Sequence, residues 1–240
     1  MINKFSKAFW VANSVELLER LAYCAVFIVL TIYLSNIWGF TDAEAAIISG
    51  VFSALLYLLP TFAGAYADKI GFRSSIILAF TFLTIGYAGL GVLPTMIESA
   101  DLAKYGAGSG SGVFSDYFQN VVTFGADTQY TGLRESAMRW TIAPVLLLIV
   151  IGGAFIKSVI SGTVARETTE STRARGFAIF YMMVNIGAFT GKTVVDPLRK
   201  SLGDQGLIYL NYFSASMTFL ALIAVFFLYK STQTEGKGKS

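Results

Sequence analysis

Four charged residues lie inside long apolar runs, and their types and spacing could do chemistry. Glu16, Glu19 and Arg20 fall in the first run, about Ala8 to Leu34, and Lys157 falls in a later one. Spacings of three and four put Glu16, Glu19 and Arg20 on one face of a helix. A charge at bilayer depth costs about 2.5–3.5 kcal/mol on insertion scales, so that face must turn toward other helices or a wet cavity. Lys157 follows the diglycine Gly152-Gly153, which lets another helix come close. It needs a counter-charge or should lose its proton, and Glu16 and Glu19 are the acidic residues deep in a predicted helix, so one of them is its expected partner. Burial and a neighbouring cation push carboxylate protonation in opposite directions; where the two nearly cancel, the group titrates near neutral pH. Protonating Glu19 would then break its pairing with Lys157 or Arg20, coupling a proton to an anionic solute or to the contact between two helices. A salt-bridged cluster that only positions the first helix, with Lys157 reaching back to the interface, is the plainer alternative.

Several other chemistries are closed to this chain. It has no histidine, which removes His-ligated metals, Ser-His triads and the usual proton switch near neutral pH. Its one cysteine, Cys24, sits in an apolar run and has no intrachain disulfide partner. No nucleophile–base pair, metal-ligand cluster or phosphate-binding glycine loop is evident, so no enzyme and no cofactor is expected beyond a proton gradient as driving force. The Lys and Arg residues form no basic face with interleaved aromatics, which argues against nucleic acid.

The elements that must hold these charges are membrane helices. Of 240 residues, 55% are hydrophobic and 14% are charged, against about 25% charged in a soluble domain. The apolar residues come in runs of about 20, the length that crosses about 30 Å of hydrocarbon. After the first run, Thr41-Asp42 caps a second helix to about Ala65. A charged turn, Asp68 to Arg73, leads to a third helix ending near Pro94. Further helices are expected over about 140–164, 174–195 and 207–229. The expected organisation is a six-helix bundle over 1–230, an outward-facing polar insertion at about 98–139, and a disordered tail at 231–240. Lys and Arg are biased to one side of this arrangement, ten against six, with Arg20 and Lys157 inside helices. That bias puts both termini in the cytoplasm. A bacterial inner membrane is the expected location.

Three motifs and two further matches carry a resemblance to a known family. The turn Gly64-Ala-Tyr-Ala-Asp68-Lys-Ile-Gly71-Phe-Arg73 resembles the loop between helices two and three of the major facilitator superfamily, G-x-x-x-D-x-x-G-x-R. Glu16-x-x-Glu19-Arg20 followed by Tyr23 resembles the E-x-x-E-R-[FL]-x-Y motif of that superfamily's proton-dependent oligopeptide transporters. Phe180-Tyr-Met-Met-Val-Asn185-Ile-Gly187 resembles their F-Y-x-x-x-N-x-G, and Tyr57-x-x-Pro60 and Lys157 also fall where that family has them.

The resemblance implies an all-α membrane protein, the N-terminal six-helix half of a twelve-helix transporter, working as a proton-coupled symporter of peptides or another small polar solute. It implies proton coupling by Glu16, Glu19, Arg20 and Lys157, and a solute cavity lined by Tyr23, Tyr57 and Asn185. Gly64, Asp68, Gly71 and Arg73 would form a conformational gate, with the glycines making a tight turn and Asp68 and Arg73 pinning helix ends. The aromatics read equally as packing residues, and Asn185 equally as an interhelical hydrogen-bond donor.

The chain departs from the family in three places. Cys24 and Phe27 stand where a second Tyr and a carboxylate-gripping Arg are usual, and Ser158 stands where a Pro usually follows the lysine. Besides lipid and a di- or tripeptide, the expected partner is a second six-helix half or another copy, since a lone half would expose its charged face. A non-transporting membrane subunit with an assembly or scaffold role is the alternative.

Overall fold

The computed structural model describes residues 5–105, 133 and 137–229. Its elements are helices: α1 Lys7–Phe27, α2 Leu30–Asn36, α3 Asp42–Ile70, α4 Phe72–Tyr105, a short 3-10 turn Ala137–Thr141, α5 Ile142–Arg166, α6 Glu170–Leu202 and α7 Gln205–Leu228. Among the described residues, five spans are long and apolar enough to cross a membrane, and α1 and α2 pass the same test as one span bent by 45°. The expected tail and most of the expected insertion lie outside the described residues.

Local chemistry sets the helix ends. Ser6 caps α1 by accepting from the Phe9 amide at 3.1 Å. At α3 the capping box is complete: Thr41 Oγ1 accepts from the Glu44 amide at 3.3 Å, and Glu44 Oε2 accepts from the Thr41 amide at 2.9 Å. Gly71 (φ 86°) and Gly203 (φ 58°) end α3 and α6 in the left-handed region that side chains avoid.

Helices α3 and α6 outrun the apolar runs that announced them, because their ends are polar but well capped. The first span departs from the single helix expected over 8–34. At Ile28-Val29 the chain tightens to an i→i+3 bond, Val29 N to Val26 O at 3.2 Å. No proline or glycine marks this break; its residues are β-branched and crowd the preceding turn.

Prolines inside the helices free carbonyls, and other helices meet them. Pro94, where the third helix was expected to stop, lies within α4. Having no N–H, it leaves the carbonyl four residues earlier, Leu90 O, without its helical donor. The buried Tyr33 hydroxyl of α2 donates to that oxygen. Pro60, inside α3, frees the Leu56 carbonyl in the same way.

Helix α1 packs against α6 and α7, α4 against α5 and α7, and α3 against α5. The α5 span is 61% buried, whereas α3 and α6 bury only 17% and 22% of theirs and leave long faces outward. Glycines set the close crossings. A Cβ at Gly152 would come 2.8 Å from the Ala79 carbonyl of α4, and one at Gly153 would meet Leu56 of α3 at 2.8 Å. At one end of the bundle Ser6 Oγ donates to Glu167 at 2.6 Å and Arg73 donates to the Phe226 carbonyl at 3.0 Å. At the other end Asn36 donates to Asp204 at 3.0 Å, and Arg139 lies 3.9 Å from Glu44.

Candidate functional site

Nine residues into α1, about 14 Å along its axis, the charged triplet is enclosed by protein. Glu16 and Glu19 are 3% and 2% exposed. The α1 backbone brings Arg20 Nε to 3.0 Å from Glu16 Oε1 and 2.6 Å from Glu19 Oε2. These are ion-pair distances without hydrogen-bond alignment: the Nε–H points squarely at neither carboxylate, and Glu16 Oε2 and Glu19 Oε2 have no hydrogen-bond partner. One guanidinium thus serves two carboxylates, which leaves one negative charge over when both are ionised. The guanidinium also lies 5.3 Å from the Tyr23 ring centroid, and Tyr23 stacks on Phe27 at 5.1 Å.

The packing of α6 holds this cluster in place. A Cβ at Gly187 would sit 2.6 Å from the Leu17 carbonyl and 2.9 Å from Arg20 Cβ. One at Gly191 would collide with the Leu21 carbonyl. Glycine at both positions therefore lets α6 lie directly on the α1 backbone at the level of Arg20. The sequence motif contains Gly187, but the sequence alone assigns it no role. The signal was present as small residues four apart on one helix face.

Lys157 takes a different partner from the one expected. Among the described residues it makes no ion pair within 4 Å with Glu16, Glu19 or any other carboxylate. Its Nζ donates instead to the Leu56 carbonyl at 3.3 Å, the oxygen that Pro60 frees. It lies 4.3 Å from the Tyr57 ring centroid and 5.9 Å from that of Tyr23. The reason is local: Arg20 already lies between both carboxylates, while an orphaned carbonyl and an aromatic face stand directly across the α3–α5 contact. Tyr23, Tyr57 and Lys157 are thus brought together, and Tyr57 is 75% exposed on the outer face of α3. Asn185 is not part of this group. It is exposed and donates to its own helix at Tyr181 O, 2.8 Å away. A small apolar hollow beside the cluster is lined by Tyr23, Phe27, Phe52, Tyr87 and Ile149.

The four gate residues divide between two tasks. Gly71 makes the turn, and its carbonyl accepts from Ser75 Oγ at 2.8 Å. Gly64 does not belong to that turn, contrary to expectation. It lies in the interior of α3, where an added Cβ would stand 3.4 Å from Ser158 Cβ. Asp68 pairs with Arg166 at the end of α5 at 3.4 Å, and Arg73 reaches the last turn of α7 at Phe226 O. Arg166 also lies over the Phe72 ring at 3.9 Å. The Asp68–Arg166 pair is more than half exposed, so it contributes about 1 kcal/mol at most.

No family model matches the chain. Over 203 residues, 83% of its length, the chain is 25% identical to dipeptide and tripeptide permease A of Proteus mirabilis, of which it covers 33%. Over 108 residues it is 37% identical to dipeptide and tripeptide permease B of Photorhabdus luminescens, covering 43% of this chain and 22% of that protein. Over 86 residues it is 36% identical to dipeptide and tripeptide permease A of Escherichia coli, covering 35% of this chain and 17% of that protein. The chain therefore spans a third or less of the length of these relatives. Its apolar helices and permease relatives make it an integral membrane protein. This chain is a relative of the dipeptide and tripeptide permeases, in line with its resemblance to the proton-dependent oligopeptide transporters.

Proposed function

We propose that this chain is the N-terminal half of a proton-driven symporter of di- and tripeptides. In this reading it forms six membrane spans of major facilitator architecture over 1–230, with α1 and α2 as one bent span. The observation that carries it is the arrangement of the buried cluster: Glu16 and Glu19 share Arg20, and the next cation, Lys157, is held at the Leu56 carbonyl, so one carboxylate has no ion-pair contact of its own when both are ionised. An uncompensated charge in a low-dielectric site is costly, and a proton is the smallest cation that balances it. No cofactor is required, because the proton gradient supplies the driving force.

Glu16, Glu19, Arg20 and Lys157 carry the proton coupling. Tyr23 and Tyr57 face the solute beside Lys157, and Asn185 contributes from α6. Asp68, Gly71 and Arg73 hold helix ends on the cytoplasmic side, and Gly64 supports the α3–α5 contact next to them. Both termini lie in the cytoplasm and the 98–139 segment lies outside. The protein is a transporter and not an enzyme. It sits in a bacterial inner membrane and works with a second six-helix half.

One observation favours the alternative, a membrane subunit with an assembly role. Phe27 occupies the place of the family's carboxylate-gripping Arg and stacks between Tyr23 and Phe52, at 5.1 and 6.3 Å. A peptide carboxylate would find no bidentate partner there.

Uptake of a di- and tripeptide mixture by proteoliposomes under an imposed proton gradient separates the two readings. The expected result is gradient-driven accumulation that Glu19→Gln abolishes, while exchange of solute across the membrane without a gradient survives. Accumulation that persists undiminished in both Glu16→Gln and Glu19→Gln would remove the cluster from the mechanism. Absence of all uptake, with a second half supplied, would favour the assembly role.

A further inference from the structure

Two successive residues of α5 bracket the proline break of α3. Lys157 Nζ donates to Leu56 O at 3.3 Å, on the N-terminal side of Pro60. Ser158 Oγ lies 2.5 Å from the carbonyl of Pro60 itself, and 3.3 Å from Ala154 O of its own helix. A hydroxyl has one proton to donate, and the nearer acceptor is across the helix interface. Gly64, one turn beyond Pro60, faces the same serine: a Cβ there would stand in van der Waals contact with Ser158, 3.4 Å from its Cβ. The residue after Leu56 is Tyr57, whose ring centroid lies 4.3 Å from the same Lys157 Nζ.

We propose that Ser158 is a positioning residue: it fixes the bend of α3 at Pro60 and so sets Tyr57 against Lys157. The role of that pair rests on the transport reading above; the clamp itself does not. A proline-containing helix has lost one rung of its ladder and can bend over a range of angles. Two α5 donors, one on each side of the break, select one of them. Ser158 stands where the family pattern has a proline, and a proline there has no side-chain donor. The clamp is thus a feature of this chain rather than of the shared motif.

The test uses the 240-residue chain with Cys24→Ala, spin-labelled at the exposed positions Ile47 and Lys69, on either side of Pro60, in lipid nanodiscs. In the parent, one narrow distance distribution near 33 Å is expected for about 22 residues of nearly straight helix. Ser158→Ala should shift and broaden it, and Ser158→Thr, which keeps the hydroxyl, should restore it. With Pro60→Ala the Leu56 carbonyl regains its backbone donor, so adding Ser158→Ala to that background should change nothing. A parent-like distribution in Ser158→Ala overturns the proposal. If Ser158→Ala fails to fold, the same substitution in the Pro60→Ala background decides: a folded protein supports the clamp and an unfolded one overturns it.

Peptide uptake reads the consequence separately. Ser158→Ala should raise KM about five- to tenfold, the loss of one positioning hydrogen bond, with Ser158→Thr near the parent. Absence of uptake in the parent, with a second half supplied, would count against the transport reading and leave the distance measurement to judge the clamp.

Discussion

At the scale of single residues, the arrangement around Arg20 is stable only as a whole. Removing one charge from a buried cluster leaves its partner uncompensated, which costs about 3–5 kcal/mol. Arg20→Met leaves two carboxylates, 2–3% exposed, with no cation within ion-pairing distance. It should lower stability by about that amount, seen as a large fall in the thermal midpoint of the purified protein in detergent. Adding Glu16→Gln and Glu19→Gln to Arg20→Met should recover most of the loss, because neutral amides need no counter-charge. If Arg20→Met alone melts like the parent, the carboxylates already hold their own protons or find another cation. The triplet itself was legible in the sequence, since spacing alone puts its members on one face. The partner of Lys157 was not. Counting charges named Glu16 or Glu19, whereas the lysine takes a carbonyl freed by a proline on another helix, and sequence spacing does not report which helices touch. Arg166, the partner of Asp68, was hidden for the same reason.

At the scale of helices, small residues decide how near one backbone lies to another. The apolar runs located the elements well, but they marked only the part of each helix that is apolar. The capped polar ends of α3 and α6 and the bend at Ile28-Val29 rest on local capping and side-chain shape, and the passage of α4 through Pro94 on a tertiary partner, none of which run length records. Glycines sharpen this into a prediction, because the same substitution should act oppositely at two sites. A Cβ at Gly187 meets the Leu17 carbonyl at 2.6 Å and Arg20 Cβ at 2.9 Å, so Gly187→Ala must push α6 off α1. A Cβ at Gly50 in α3 meets nothing within 4 Å. Overpacking of this kind costs about 1–3 kcal/mol, whereas replacing an unencumbered helical glycine by alanine gains up to about 1 kcal/mol. Gly187→Ala should therefore lower the thermal midpoint while Gly50→Ala leaves it unchanged or raises it. Equal midpoints for the two variants would mean that α6 does not rest on the α1 backbone as described.

For the whole molecule, the question is which way the bundle faces and what its outer faces meet. Ser6, Asp68, Arg73, Glu167 and the last turn of α7 are tied together at one end, so the residues on the basic-rich side of the sequence share a single surface. In the proposed orientation, which follows the positive-inside rule, that end faces the cytoplasm. A green fluorescent protein fused after Ser240 should fluoresce and an alkaline phosphatase fused there should be inactive, while a phosphatase placed at the Gly106–Gly112 stretch should be active. The reverse pattern would invert the proposed orientation. Beyond orientation, α3 and α6 turn outward faces that mix aromatic and polar groups: Tyr57, Phe62, Tyr181 and Phe189 with Asn185 and Lys192. Lipid alone is a poor neighbour for an exposed ammonium, and a single bond to its own helix does not use the full hydrogen-bonding capacity of the Asn185 amide. A cavity shared with a second six-helix bundle would solvate both. Co-reconstituting this chain with the C-terminal half of a permease relative should therefore yield gradient-driven peptide uptake that neither half gives alone. Uptake of the same rate by this chain as an isolated monomer would show that these faces need no second bundle.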